Sequence, residues 1–143
     1  MIDIYNLNWE KDNLEIPQNI KNWLLDNSSL TAKLKRIYPY FGVSIIKESL
    51  ININNIAYIK REVHLCNDKT KLVYAISIIP THCTNLINLG DKPLGEILFN
   101  HGKRLQIMVA KSGNLWGRKS IFSFQNQEVI VCEFFLDELF KKS

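Results

Sequence analysis

The sequence predicts an α+β domain built on a mainly antiparallel sheet of six strands, and three observations carry the prediction. Apolar residues recur at a spacing of two over 41–50, 57–66 and 72–79, and again over 104–111, 116–124 and 129–136. The connections within each set are short polar turns: Asn52-Ile53-Asn54-Asn55, Asn67-Asp68-Lys69-Thr70, Ser112-Gly113-Asn114 and Gln125-Asn126-Gln127. Connections this short join antiparallel neighbours. Helical spacing occurs only before the first set and between the two, without regular β-α alternation, so the helices should pack against the sheet.

Pro17 opens a first short helix, in which Ile20, Trp23 and Leu24 keep the i, i+3, i+4 spacing until Asp26-Asn27-Ser28 break it. Ser28 or Ser29 caps a second helix with Leu30, Leu34 and Ile37 on one face, and Pro39 prevents its continuation. Pro80 ends the first meander. Thr84 then suits the cap of a short helix over 86–89, Gly90 its C′ position, and Pro93 the N1 position of a helix presenting Leu94, Ile97 and Leu98. Leu105, Ile107 and Val109 share one side of the fourth strand. The last strand is apolar on both faces, Ile130, Cys132, Phe134 and Leu136 against Val129, Val131 and Phe135, so it should be central or covered on both sides.

A chain of 143 residues is one domain's worth, here 1–143, and 46% apolar residues can fill a core without staples. Met1-Ile2-Asp3-Ile4-Tyr5 lacks the basic-then-apolar order of a secretion signal, and no apolar run approaches the roughly 18 residues of a membrane span. Three cysteines, Cys66, Cys83 and Cys132, are an odd number for a disulfide framework. The expectation is a protein of the reducing cytoplasm. A net charge of +4 mildly favours anionic ligands, while Lys33-Leu34-Lys35-Arg36 and Lys141-Lys142 read as solvated faces and not as nucleic-acid sites.

Two charges fall out of place. In the second strand Arg61 is in phase with Ile59, Val63 and Leu65, while Lys60, Glu62 and His64 occupy the other face. A guanidinium is always charged and costly to bury alone, so Arg61 either snorkels to the edge or holds an anion inside the fold. In the last strand Glu133 lies between Val131 and Phe135. A carboxylate and a guanidinium buried in one small sheet are either a direct pair or the two ends of a ligand site. Leu30 and Leu94 each fall in the first turn of a predicted helix, where unpaired N–H groups would assist Arg61 on a small anion; the alternative is that both are core leucines.

His64-Leu65-Cys66 and His82-Cys83 do not make a metal site, because zinc needs three or four ligands and adjacent strand residues point to opposite faces. No dinucleotide fingerprint, phosphate-binding loop or nucleophile elbow occurs. Trp116-Gly117-Arg118-Lys119-Ser120 is basic and aromatic but isolated, and Arg118 reads as tying strands together or bordering a pocket.

In order along the chain, Trp23-Leu24-Leu25 with Ser28-Ser29-Leu30-Thr31, Arg61-Glu62-Val63-x-Leu65, Leu89-Gly90-x-x-Pro93-Leu94-Gly95-x-x-Leu98-Phe99, Leu115-Trp116-Gly117-Arg118-Lys119-Ser120 and Glu133-x-Phe135-Leu136 resemble the chorismate–pyruvate lyase family over residues 20–137. The resemblance implies a six-stranded antiparallel sheet with helices on one side and an internal cavity beneath helical flaps. It implies conversion of chorismate to 4-hydroxybenzoate and pyruvate, the entry step of ubiquinone biosynthesis, in the cytoplasm and without metal or organic cofactor; a monomer is expected. By the same resemblance, Arg61 and the backbone amides at Leu30 and Leu94 bind the ring carboxylate, and Glu133 meets the ring hydroxyl as positioner or base. Either Arg104 or Arg118 is a candidate for the carboxylate of the departing pyruvate. Three departures stand out: a short 99–105 segment, Asp137 in place of a usual proline, and Ile76 where arginine is common.

Two other classes compete with the lyase. One is a non-catalytic sensor of small aromatic acids on the same fold, although the roughly 40 residues before Phe41 leave little room for a helix-turn-helix. The other is a structural protein with an internal Arg61–Glu133 salt bridge and no cavity.

Overall fold

The computed structural model describes residues 2–13, 15–83, 86 and 92–141. A 3-10 turn at Ile4–Asn6 is capped by Asp3, whose carboxylate accepts from the Tyr5 N–H. Helix α1, Gln18–Leu24, follows Pro17. Helix α2, Leu30–Ile37, is capped by Ser29, whose Oγ accepts from the Ala32 N–H at 3.2 Å. Strands β1, Phe41–Ile53, β2, Ile56–Asn67, and β3, Thr70–Pro80, form the first meander. Helix α3, Leu94–His101, precedes the second, made of β4, Lys103–Ser112, β5, Leu115–Phe124, and β6, Gln127–Phe135. Pro93 is the cap of α3 instead of its first helical residue. Thr84, Leu89 and Gly90 lie outside the described residues.

All six strands arise where the alternation places them, each a little longer than the apolar pattern alone. Asn54 and Asn55, and likewise Gln125 and Asn126, take positive φ, as two-residue hairpin turns require. The sequence pattern gives no element after the last strand. The chain instead forms a short helix, α4, Asp137–Phe140, which buries Leu139.

The strands assemble in the order β1-β2-β3-β6-β5-β4, every neighbour antiparallel. The two meanders join through β3 and β6, which makes β6 a central strand. Its two apolar faces are both covered. On one side Val63, Leu65, Val73, Ala75 and Phe135 pack with Trp23, Leu24, Leu30 and Leu34 of the helices. On the other, Tyr74, Ile76, Ile78, Cys132 and Phe134 pack with Ile4, Leu7 and Trp9 of the N-terminal segment. Leu24, Leu34 and Leu98 have no exposed surface, and each such leucine stabilises by about 2 kcal/mol.

On this second covered face Glu62 is buried, and its Oε1 accepts from the Tyr74 hydroxyl at 2.7 Å. Ile76 lies on this far face, away from the helices. Across the β5–β6 ladder Gly117 sits opposite Phe134, and a Cβ at Gly117 would come within 2.4 Å of the Phe134 ring. The glycine admits the ring.

Candidate active site

Arg61 does not snorkel. It is 2% exposed, with Val63 and Leu65 buried on the same face as the alternation requires. A bulge at Ile46 in β1 shifts the ladder by one residue and brings Glu48 opposite Arg61. The contact is loose, with Arg61 Nη1 3.9 Å from Glu48 Oε1. Arg61 Nη2 donates to the Lys92 carbonyl at 3.3 Å, so the guanidinium reaches over the sheet to the backbone that leads into α3.

Glu133 is also buried, and it does not pair with Arg61. The register sets Glu133 between Ala75 of β3 and Arg118 of β5, whereas Arg61 lies opposite Ser77. Two strand intervals, about 10 Å, separate the strands that carry them. Glu133 Oε1 instead accepts from Arg118 Nε at 2.8 Å. Arg118 is 1% exposed, and its Nη1 donates to the carbonyls of Trp23 at 3.4 Å, Leu24 at 3.3 Å and Asp26 at 3.1 Å. A guanidinium at the C-terminal end of α1 satisfies carbonyls that the helix leaves open. Arg118 therefore joins two strands and one helix, as its sequence setting suggests.

Two adjoining pockets lie between the sheet and the helices. The larger is lined by Arg61, Leu94, Glu133, Ser77 and their neighbours. The smaller is lined by Leu30, Arg104, Arg118, Phe122 and Glu133 among others. Thr31, Gly95, Val131 and Glu133 line both. Arg61 and Glu133 thus face one pocket without touching. Leu94 joins them there, at the first residue of α3, and Leu30 holds the equivalent position of α2 in the adjoining pocket. Both leucines are buried as well, so core packing and pocket lining are not alternatives for them.

The lining carries three arginines against one glutamate, with two helix N-termini opening on it, and so favours an anion. Burial, reinforced by the neighbouring Arg118 charge, holds the Arg104 guanidinium below its ordinary value, with Glu133 and Asp26 acting in the opposite direction. Among the described residues no three His, Cys, Asp or Glu side chains gather as a metal site. Cys66, Cys83 and Cys132 are all buried as free thiols, and burial pushes the Cys132 thiol up to about 12.

Sequence reasoning passed over Thr31 and Ser77. Both are buried polar residues on otherwise apolar faces, the same signal that marks Arg61 and Glu133. It also placed Leu105 with Ile107 and Val109. A bulge at Leu105 breaks that phase, leaving Leu105 51% exposed and setting Arg104 opposite Phe122.

Residues 4–143 match a family model described as chorismate lyase. The chain is 32% identical over 149 residues to a probable chorismate pyruvate-lyase of Pseudoalteromonas translucida, a match covering 81% of this chain and 83% of the relative. It is 30% identical over 145 residues to a chorismate pyruvate-lyase of Photorhabdus laumondii, covering 89% and 86% respectively. A probable chorismate pyruvate-lyase of Bartonella henselae is 29% identical over 149 residues, covering 91% and 87%. With a fold of this topology, a pocket rich in arginine and a family match from residue 4 to residue 143, the chain belongs to the chorismate lyase family.

Proposed function

We propose that the chain converts chorismate to 4-hydroxybenzoate and pyruvate in the larger pocket. The observation that carries this reading is the placement of Arg61 and Glu133: buried, on one face, lining one cavity and out of contact with each other. A para-substituted ring with a carboxylate at one end and a hydroxyl at the other has the end groups that a guanidinium and a carboxylate so arranged would bind. Arg61 holds the ring carboxylate, assisted by the N–H groups at the start of α3 around Leu94 and, from the neighbouring helix, those around Leu30. Glu133 Oε2, the oxygen not engaged by Arg118, meets the C4 hydroxyl.

The reaction is an elimination. The C4–H electron pair becomes the new ring double bond, the C3–O bond breaks, and its pair departs as the enolate of pyruvate. The proton lost from C4 ends on the methylene carbon of that enolate, and aromatisation drives the step. The protein's share is to orient the substrate and move one proton, with Glu133 as the base. All of these groups come from one chain, and we read the enzyme as a monomer of the cytoplasm acting at the entry to ubiquinone synthesis. Among the described residues no helix is long and apolar enough to cross a membrane.

Incubation of the purified protein with chorismate should release 4-hydroxybenzoate, measured by chromatography. Binding of chorismate without release would make the chain a sensor, and neither would leave a structural role. Arg61→Ala removes a buried charge-assisted contact and should weaken 4-hydroxybenzoate binding by well over tenfold in calorimetry. Unchanged affinity would remove Arg61 from the site.

A further inference from the structure

Arg104 and Arg118 line the smaller pocket and not the larger. The bulge at Leu105 turns Arg104 onto the pocket face of β4, where its guanidinium carbon lies 5.1 Å from the centre of the Phe122 ring. Its Nε is buried and has no hydrogen-bond partner among the described residues. Arg118, the other candidate for a second anion, has Nε bonded to Glu133 and Nη1 bonded to three carbonyls. A buried guanidinium N–H left open next to a cavity calls for an acceptor from outside the protein.

Resting on the lyase reading, we infer that the smaller pocket seats the enolpyruvyl side chain of chorismate and that Arg104 binds its carboxylate. The placement follows from the substrate's own connectivity. C3, which bears the side chain, is bonded to C4, whose hydroxyl meets Glu133. Glu133 lines both pockets, so a substituent one atom along the ring enters the pocket that holds Arg104. Phe122 supports the guanidinium from below, and the open Nε with its neighbouring Nη can receive a carboxylate side-on. Arg61 and Arg104 then read the two carboxylates of the substrate separately. The product 4-hydroxybenzoate, which has only one of them, engages Arg61 alone.

Arg104→Gln tests this against an internal reference. The Michaelis constant for chorismate should rise at least tenfold, while the dissociation constant of 4-hydroxybenzoate stays within twofold of the wild type. An unchanged Michaelis constant in a variant that still binds 4-hydroxybenzoate overturns the assignment. Should the variant fail to bind either compound, a pair of wild-type ligands decides. 3-(Carboxymethoxy)-4-hydroxybenzoate should bind at least tenfold more tightly than 3-isobutoxy-4-hydroxybenzoate, which matches its size and branching without the charge, and equal or weaker binding overturns the inference. Wild-type turnover of chorismate is scored independently. Turnover with no preference between the pair sinks the Arg104 assignment alone, and preference without turnover sinks the lyase reading alone.

Discussion

Glu133 has one oxygen committed to Arg118 Nε at 2.8 Å, which fixes the carboxylate plane and directs the other oxygen. The side chain is thus both anchored and presented. Glu133→Gln keeps the shape, and its amide oxygen can still accept from Arg118, but the basicity is gone. If Glu133 takes the C4 proton, kcat should fall by about 100-fold or more, with 4-hydroxybenzoate affinity changed far less. Single-turnover kinetics beside calorimetry separates the two, and activity close to wild type would leave Glu133 a positioning role only. Arg61 and Glu133 are legible in the sequence because a charge in phase with Val, Leu or Phe on a strand violates the period of two. The partner of Glu133 is not legible. Which residue of β5 lies opposite depends on a register that one step of slip would change from Arg118 to Gly117 or Lys119 on the opposite face. The choice between Arg104 and Arg118 for a second anion is not legible for a related reason: a bulge reverses the parity of β4 beside Arg104, and no residue type announces it.

The turn between α1 and α2 connects the two functions of Arg118. Asp26 accepts through its carboxylate from the Ser28 N–H at 2.7 Å, the Ser28 hydroxyl at 2.6 Å and Lys33 Nζ at 3.1 Å. Its carbonyl accepts from Arg118. Partial burial would raise the Asp26 carboxyl, but the two bonds from Ser28 and the Lys33 charge outweigh it and bring it from 3.8 down to about 2. A carboxyl lowered on folding binds its proton more readily in the unfolded chain. It therefore contributes stability above about pH 4 and loses that contribution as the pH falls toward 2. Asp26→Asn should lower the urea midpoint at pH 7, and the gap from wild type should close between pH 4 and pH 2. A gap independent of pH would mean that shape, not charge, makes the turn. At this scale most of the fold is legible: six alternating segments, polar two-residue turns and the Ser29 cap. Helix α4 is not, since Asp137-Glu138-Leu139-Phe140 is too short for a helical period to appear, and only docking of Leu139 in the core selects it. The burial of Glu62 is equally invisible, because the segment that covers it lies some fifty residues earlier in the chain.

The site belongs to neither meander by itself. Arg61 comes from β2, while Arg104, Arg118 and Glu133 come from β4, β5 and β6, and the two sets meet only through the β3–β6 ladder. The pairing of Tyr74 with Phe134 and of Ile78 with Ile130 closes the longest loops in the sheet, so it carries the largest closure cost of any ladder here. Helices α2 and α3 complete the pocket from above. A ligand held between Arg61 and Glu133 should therefore bind only the fully assembled sheet and stabilise it as one unit. By mass action, 4-hydroxybenzoate at 100 times its dissociation constant should raise the free energy of unfolding by about 2.7 kcal/mol, with a single transition whether followed by fluorescence or circular dichroism. Arg61→Ala, with its affinity weakened well over tenfold, should gain less than about 1.4 kcal/mol at the same ligand concentration. If the wild-type midpoint stays put while binding is verified, the pocket must persist in a chain whose two meanders have separated, and the central ladder would not be what brings Arg61 and Glu133 together.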